Sequence, residues 1–195
     1  MIRQENTSIT KELKTQARVL GSTTAGLWVV EIIDTLLQHG LDRFGIHPRD
    51  ADWVWGILFA PFLHGSFEHL ISNTVPFVIL GWLIMLRDTK EFFTVSAITA
   101  LSAGLGVWLF GGANTVHIGA SGVVFGYVGF LLLRGYFERS LYSIMLSIGV
   151  GVLYGGVIWG ILPGQSGISW EGHLFGFLGG VLAAKWLAKP KALRS

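Results

Sequence analysis

Two residues have the side chains needed for acyl transfer and stand 52 positions apart. Ser121 lies in the segment Gly119-Ala120-Ser121-Gly122, and His173 is followed by Gly176 and Gly180. A serine hydroxyl becomes a nucleophile when a histidine within hydrogen-bond reach accepts its proton. We therefore interpret Ser121 as a nucleophile and His173 as its general base, on the condition that the fold brings them together.

A second pair of polar residues could stabilise the negative charge that such an attack creates. His69 and Asn73 are four residues apart, which is one face of a helix. Their side chains and the backbone N–H of Ser121, at a helix N-terminus, are predicted to donate hydrogen bonds to the oxyanion. Glu171 is two residues from His173 and does not share its helix face. The serine and histidine are therefore predicted to act as a dyad.

The composition indicates that lipid surrounds the elements that position these residues. The chain has 195 residues, 51% of them hydrophobic and 13% charged, with a mean hydropathy of +0.58. This is too apolar for a soluble domain. The pI near 9.0 does not favour nucleic-acid binding, because no basic stripe is interleaved with aromatic residues. The chain has no cysteine, which excludes disulfides and a thiolate zinc site. The first 17 residues are polar, so a removable signal peptide is not indicated.

The apolar tracts predict an all-α polytopic membrane protein with six spans and a short central fourth helix. The spans are Arg18–Gln38, Pro61–Leu86, Phe92–Phe110, Ser121–Arg134, Leu141–Leu162 and Glu171–Ala188. They form one predicted six-helix domain over residues 18–188, with a cytoplasmic N-terminal segment at 1–17 and a cytoplasmic tail at 189–195.

Basic residues predict how these spans are oriented. An even number of spans puts both termini on one side, and all lysines and arginines except Arg43 and Arg49 then fall on the side of the termini. The positive-inside rule makes that side cytoplasmic. The second, fourth and sixth spans all enter from the outer side under this topology. The site that they form is therefore predicted to open outward.

The fourth span predicts a polar pocket inside the membrane. From Ser121 to Arg134 it has 14 residues, or about 21 Å of helix against about 30 Å of hydrocarbon. If Arg134 marks the cytoplasmic face, Ser121 lies about 10 Å below the outer surface. The chain before it would descend as irregular backbone, which requires shielding or a water-filled cavity. Small residues would let this helix and the sixth approach closely: Gly122, Gly126, Gly176 and Gly180.

Taken together, three motifs on three spans resemble the rhomboid proteases: His64-x4-His69-x3-Asn73, Gly119-Ala120-Ser121-Gly122 and His173-x2-Gly176-x3-Gly180. The resemblance implies a six-helix intramembrane serine endopeptidase that cleaves the transmembrane segments of other membrane proteins. It implies Ser121 as nucleophile, His173 as base, and His69 and Asn73 near the oxyanion. No cofactor and no metal are expected, and the location is predicted to be a bacterial inner membrane.

The sequence departs from the family pattern at three places. Phe125 stands where the family often has a tyrosine that packs on the catalytic histidine, and it keeps the ring without the hydroxyl. Trp55-Gly56 stands where the family often has Trp-Arg, and no acidic residue is found around Ile84 and Met85. These differences concern local stability and loop anchoring, so activity is expected to persist.

Alternative interpretations remain open. The same polar residues could form a path in a small transporter, or the chain could be a rhomboid-like protein that binds membrane helices without cutting them. A metalloprotease is not indicated, because His-Glu-x-x-His is absent. His64 is assigned a structural role, and His47 and His117 are assigned none. Glu31 and Asp34 within the first span could face a neighbouring helix, or the span could start later than drawn.

Overall fold

The computed structural model describes residues 2–164 and 167–188, and the fold of these residues is all-helical. Within them, the only β feature is an isolated antiparallel bridge between Ile46 and His117. The predicted tail at 189–195, with Lys189, Lys191 and Arg194, lies outside the described residues. The described part of the chain forms seven α-helices: α1 (Ile2–Leu36), α2 (Gly56–Phe59), α3 (Phe67–Met85), α4 (Thr89–Phe110), α5 (Ser121–Glu138), α6 (Leu141–Tyr154) and α7 (Trp170–Leu187).

Four helical segments of the described chain are long and apolar enough to cross a membrane. They are Ile9–Leu36, Phe67–Met85, Thr89–Phe110 and Leu141–Ile161, and they correspond to the predicted first, second, third and fifth spans. The last of them joins α6 to the 3₁₀ helix Gly155–Ile161. Helices α5 and α7 overlap the predicted fourth and sixth spans but are not among these four segments. The six-span topology therefore remains a prediction.

The predicted short fourth helix is wrong in its length. α5 begins at Ser121 as expected, but it continues past Arg134 to Glu138 and has 18 residues, or about 27 Å. The reason is that Arg134 is buried and its guanidinium binds Glu91 at 2.6 Å, so this charge needs no solvent at a helix end. α5 therefore does not end at Arg134. The predicted depth of about 10 Å for Ser121 loses its basis.

The second predicted span begins later than expected. α3 starts at Phe67 because Ser66, at its N-cap, accepts a hydrogen bond from the backbone N–H of His69 at 3.2 Å. Pro61 lies in a separate 3₁₀ helix, Ala60–Phe62. His69 is therefore in the first turn of α3, rather than the two turns into a helix that a start at Pro61 predicted.

Glycine contacts hold α5 and α7 together at the centre of the bundle. A Cβ at Gly176 would collide with the carbonyl oxygen of Gly122, and a Cβ at Gly180 would collide with that of Gly126. The two helices therefore touch backbone to backbone, as the small-residue pattern predicted. α5 also packs on α3, α4 and α6, and most of its side chains are buried.

The end of α5 opposite Ser121 is held by an ionic network. Arg134 bonds to Glu91 of α4 and lies 3.1 Å from Glu138. Glu138 also pairs with Arg87 and accepts a hydrogen bond from Ser143 of α6. Buried charges are tolerated when they are paired in this way. The network connects α4, α5 and α6 at the C-terminal end of α5. Ser121 and the site lie at the N-terminal end of the same helix.

Candidate active site

Ser121 and His173 meet between α5 and α7. Ser121 is the first residue of α5, and His173 lies in the first turn of α7. The distance between Ser121 Oγ and His173 Nε2 is 2.8 Å, which is a hydrogen bond. The approach is possible because Gly122 and Gly176 bring the two backbones into contact beside them. The fold thus joins the two residues that the sequence singled out for nucleophile and base.

Two further contacts orient the imidazole of His173. Its Nδ1 lies 3.0 Å from the carbonyl oxygen of Gly160, and its ring stacks on Phe125 at a centroid distance of 3.9 Å and an interplanar angle of 8°. A carbonyl oxygen can only accept, so Nδ1 carries the proton and donates it. Nε2 is then left with a lone pair toward the hydroxyl of Ser121.

Gly160 is a site residue that was not predicted from the sequence. It contributes a backbone carbonyl from the 3₁₀ helix before α7, and no side-chain type or motif distinguishes it in the sequence. A Cβ at this position would lie 2.8 Å from Cζ of Phe125 and 3.3 Å from Nδ1 of His173. The absence of a side chain at Gly160 is therefore what lets its carbonyl reach the imidazole.

His69 and Asn73 line the same cavity as Ser121 and His173. This cavity has a volume of about 740 Å³ and also borders Phe125. Asn73 Nδ2 donates one hydrogen bond to the carbonyl oxygen of His69 at 3.0 Å. An amide nitrogen has two N–H groups, so a second donor remains for a ligand. The predicted oxyanion partners thus border the cavity that Ser121 and His173 also border.

The segment before Ser121 packs against His69 of α3 and against His64, which lies just before that helix. Gly119 has φ +113°, a conformation that other residues rarely adopt, and a Cβ there would lie 2.6 Å from Cε1 of His69. The backbone N–H of Ala120 faces Nε2 of His64 at 3.4 Å. His64 is fully buried and meets the ring of His69 edge to face at 5.1 Å. His64 thus contacts both the segment before Ser121 and the neighbouring His69, and its structural role stays a prediction.

His117, which was assigned no role from the sequence, connects two parts of the site. Its Nδ1 lies 2.8 Å from Ser169 Oγ, and its Nε2 lies 2.7 Å from Thr115 Oγ1. The backbone of His117 pairs with Ile46 in the isolated bridge. The residue therefore ties the loop before α5 to the start of α7, at the border of the cavity. A single loop histidine gives no sequence signal for such a role.

The fold and the site define a helical membrane protein with a hydrogen-bonded serine and histidine at a cavity lined by polar and apolar side chains. A rhomboid domain matches residues 51–190, and the chain belongs to the rhomboid family. Membership supports intramembrane serine protease activity in general, and rhomboid proteases act on membrane proteins within the bilayer.

Bacterial relatives match over most of the chain. An uncharacterized protein of Mycobacterium tuberculosis is 41% identical over 198 residues, covering 95% of this chain and 82% of the relative. The putative rhomboid protease YdcA of Bacillus subtilis is 27% identical over 77% of this chain and 75% of its own length. Rhomboid protease GluP of the same organism is 27% identical over 82% of this chain and 31% of its own length.

Proposed function

We propose that this protein is an intramembrane serine endopeptidase in which Ser121 and His173 form a catalytic dyad that works through an acyl-enzyme. The observation that carries the proposal is the 2.8 Å hydrogen bond between Ser121 Oγ and His173 Nε2. The orientation of the imidazole by Gly160 and Phe125 supports it, since a base must present its lone pair to the hydroxyl.

The chemistry would proceed in two halves. Nε2 of His173 takes the hydroxyl proton while Ser121 Oγ attacks the scissile carbonyl carbon, and the resulting oxyanion accepts hydrogen bonds from His69, Asn73 and the backbone N–H of Ser121. When the C–N bond breaks, the imidazolium gives its proton to the leaving amine. Water then attacks the acyl-enzyme with the same histidine as base, which releases the acid and regenerates the serine.

The substrate would be a transmembrane segment of another protein. The cavity borders both polar and apolar side chains, from His69 to Val124 and Val157, which suits an unwound segment at the bilayer. In this proposal six spans cross a bacterial inner membrane, both termini are cytoplasmic and the cavity opens to the outer side. The distribution of lysine and arginine supports that orientation. The chemistry requires no cofactor.

The test is cleavage of a labelled transmembrane substrate by the purified full-length protein in proteoliposomes. We expect Ser121→Ala and His173→Ala to lose essentially all turnover, because the covalent step disappears. Ser22→Ala is the matched control, since Ser22 is exposed on α1 and should leave turnover unchanged. A fluorophosphonate probe should label wild type and not Ser121→Ala. Unchanged cleavage in either dyad variant, or no cleavage by wild type, would favour the non-proteolytic alternatives.

A further inference from the structure

Two acidic side chains of α1 are buried and have carboxylate oxygens that accept no hydrogen bond from the described residues. Glu31 and Asp34 are each 1% exposed. Neither carboxylate oxygen of Glu31, nor Oδ2 of Asp34, accepts a hydrogen bond from the part of the chain that the structure describes. Buried carboxylates are costly unless they are paired, protonated or bound to a cation. The function proposed above makes no use of either residue.

The chain reverses after α1 and folds two more ligating side chains onto Asp34. Gln38 and His39 both have left-handed backbone conformations, at φ 55° and 60°. The backbone N–H of His39 bonds to the carbonyl oxygen of Asp34 at 2.8 Å, and that of Leu41 bonds to Asp34 Oδ1 at 2.7 Å. Asp34 is therefore anchored through Oδ1, while Oδ2 points away from the bond and toward the reversed segment.

The reversal produces a compact cluster of nitrogen and oxygen atoms. Nδ1 of His39 lies 3.8 Å from Oδ2 of Asp34 and 3.7 Å from Oδ2 of Asp42. One ligating atom from each of the three residues lies within 4.8 Å of the others. Glu31 is one helical turn before Asp34 on the same face, and its carboxylate interacts electrostatically with all three. Among the described residues, His39 is the only basic side chain within ion-pair distance of Asp34 or Asp42.

We propose that Asp34, His39 and Asp42 bind a divalent cation of the zinc class, with the buried carboxylate of Glu31 adding negative charge to the site. Zinc accepts imidazole nitrogen and carboxylate oxygen together, whereas calcium and magnesium take oxygen ligands. Ligands about 2.0 Å from a tetrahedral zinc stand about 3.3 Å apart. The two separations from His39 are 3.7 and 3.8 Å, and the two aspartates are at most 4.8 Å apart, so the three ligands must contract by about 0.5 to 1.5 Å to reach that geometry.

The proposed zinc site adjoins the rim of the cavity. Asp42 Oδ2 lies 3.7 Å from the position that a Cβ would take on Gly65, and Gly65 borders the cavity that contains Ser121. A bound cation would connect the end of α1 to the segment that leads from α1 to α2. No metal was expected from the sequence, which has no cysteine and no His-Glu-x-x-His motif. The three ligands come together only through the chain reversal at Gln38 and His39.

The test uses full-length protein purified without a histidine tag, equilibrated with zinc chloride and desalted before elemental analysis. We expect about one zinc per chain in wild type and in Asp52→Asn, a control acid exposed on the same outer segment. His39→Ala and Asp42→Asn should weaken zinc binding at least tenfold. Wild type without bound zinc, or unchanged zinc binding in both variants, would overturn the proposal.

Two further measurements distinguish this zinc site from zinc bound at the catalytic pair and from a calcium site. His173→Ala should keep its zinc, and loss of zinc in that variant would place the ion at the catalytic pair and overturn the proposal. Zinc should raise the melting temperature of wild type and not of Asp34→Asn, which keeps the Oδ1 acceptor for Leu41 and is therefore expected to fold. An equal rise with calcium would refute the assignment to the zinc class.

Discussion

The carbonyl oxygen of Gly160 lies 3.0 Å from Nδ1 of His173, while Nε2 of the same ring faces Ser121 at 2.8 Å. A serine hydrolase triad uses a carboxylate at the first of these positions to set the tautomer. Here a main-chain carbonyl occupies it. Proper alignment of the proposed base therefore depends on the backbone of the 3₁₀ helix Gly155–Ile161.

Gly160→Ala should lower kcat roughly 10- to 100-fold, because a displaced imidazole no longer meets the hydroxyl in line. The added methyl group would lie 2.8 Å from Phe125 Cζ and 3.3 Å from His173 Nδ1, so one of the rings must move. Gly156→Ala is the matched control, since a Cβ at Gly156 meets nothing within 4 Å. Steady-state cleavage of a transmembrane substrate measures both, and equal kcat values would contradict the proposed orienting role.

Phe125→Leu should reduce kcat roughly 3- to 10-fold, which corresponds to the roughly 0.5–1.5 kcal/mol that an aromatic pair contributes beyond its buried area. Leucine retains apolar bulk but cannot stack on the imidazole at 3.9 Å. The KM should change less than kcat, because the stacking orients the base. A change in KM alone would instead mean that Phe125 contacts the substrate.

Gly180→Ala should destabilise the protein by roughly 3 kcal/mol or more, at the upper end of overpacking effects. The new methyl group would meet the carbonyl oxygen of Gly126, and a helix backbone cannot yield as a side chain can. Gly149→Ala is the control, because a Cβ there meets nothing within 4 Å and alanine favours the helix. Thermal unfolding in detergent distinguishes them, and comparable melting temperatures would show that α5 and α7 separate readily.

His117 should make stability depend on pH. Burial lowers the pKa of His117, against a smaller opposing effect of the Glu171 carboxylate. As the pH falls below the ordinary histidine value of about 6.5, the unfolded chain takes up a proton that the folded chain resists. The contribution of neutral His117 to the free energy of unfolding is therefore fully present above about pH 6.5, and it is lost as the pH decreases.

The corresponding measurement compares melting temperatures of wild type and His117→Gln at pH 7.5 and 5.5. Wild type should be the more stable at pH 7.5, because glutamine cannot bond both Ser169 and Thr115 in the same geometry. The difference in melting temperature between wild type and His117→Gln should be smaller at pH 5.5. A difference that is the same at both values would mean that another group titrates.

Much of the site could be predicted because its parts have recognisable types at helical spacings. His69 and Asn73 are on one turn, Ser121 starts its helix as expected, and the glycines of α5 and α7 pack as their four-residue spacing indicates. Helix ends were predicted less well. The end of α5 was misplaced because Arg134 looked like a terminal charge, whereas Glu91, from another helix, neutralises it inside the bundle.

By itself the sequence determined the all-helical membrane character and the identities of the serine, histidines and asparagine, because hydropathy and helical periodicity are local properties of the chain. Only the tertiary structure decided that Gly160 orients His173, that His117 joins two loops, and that Asp42 and His39 fold back on Asp34. These contacts use backbone atoms or chain reversals. Their partners are chosen by packing between segments, which no local pattern records.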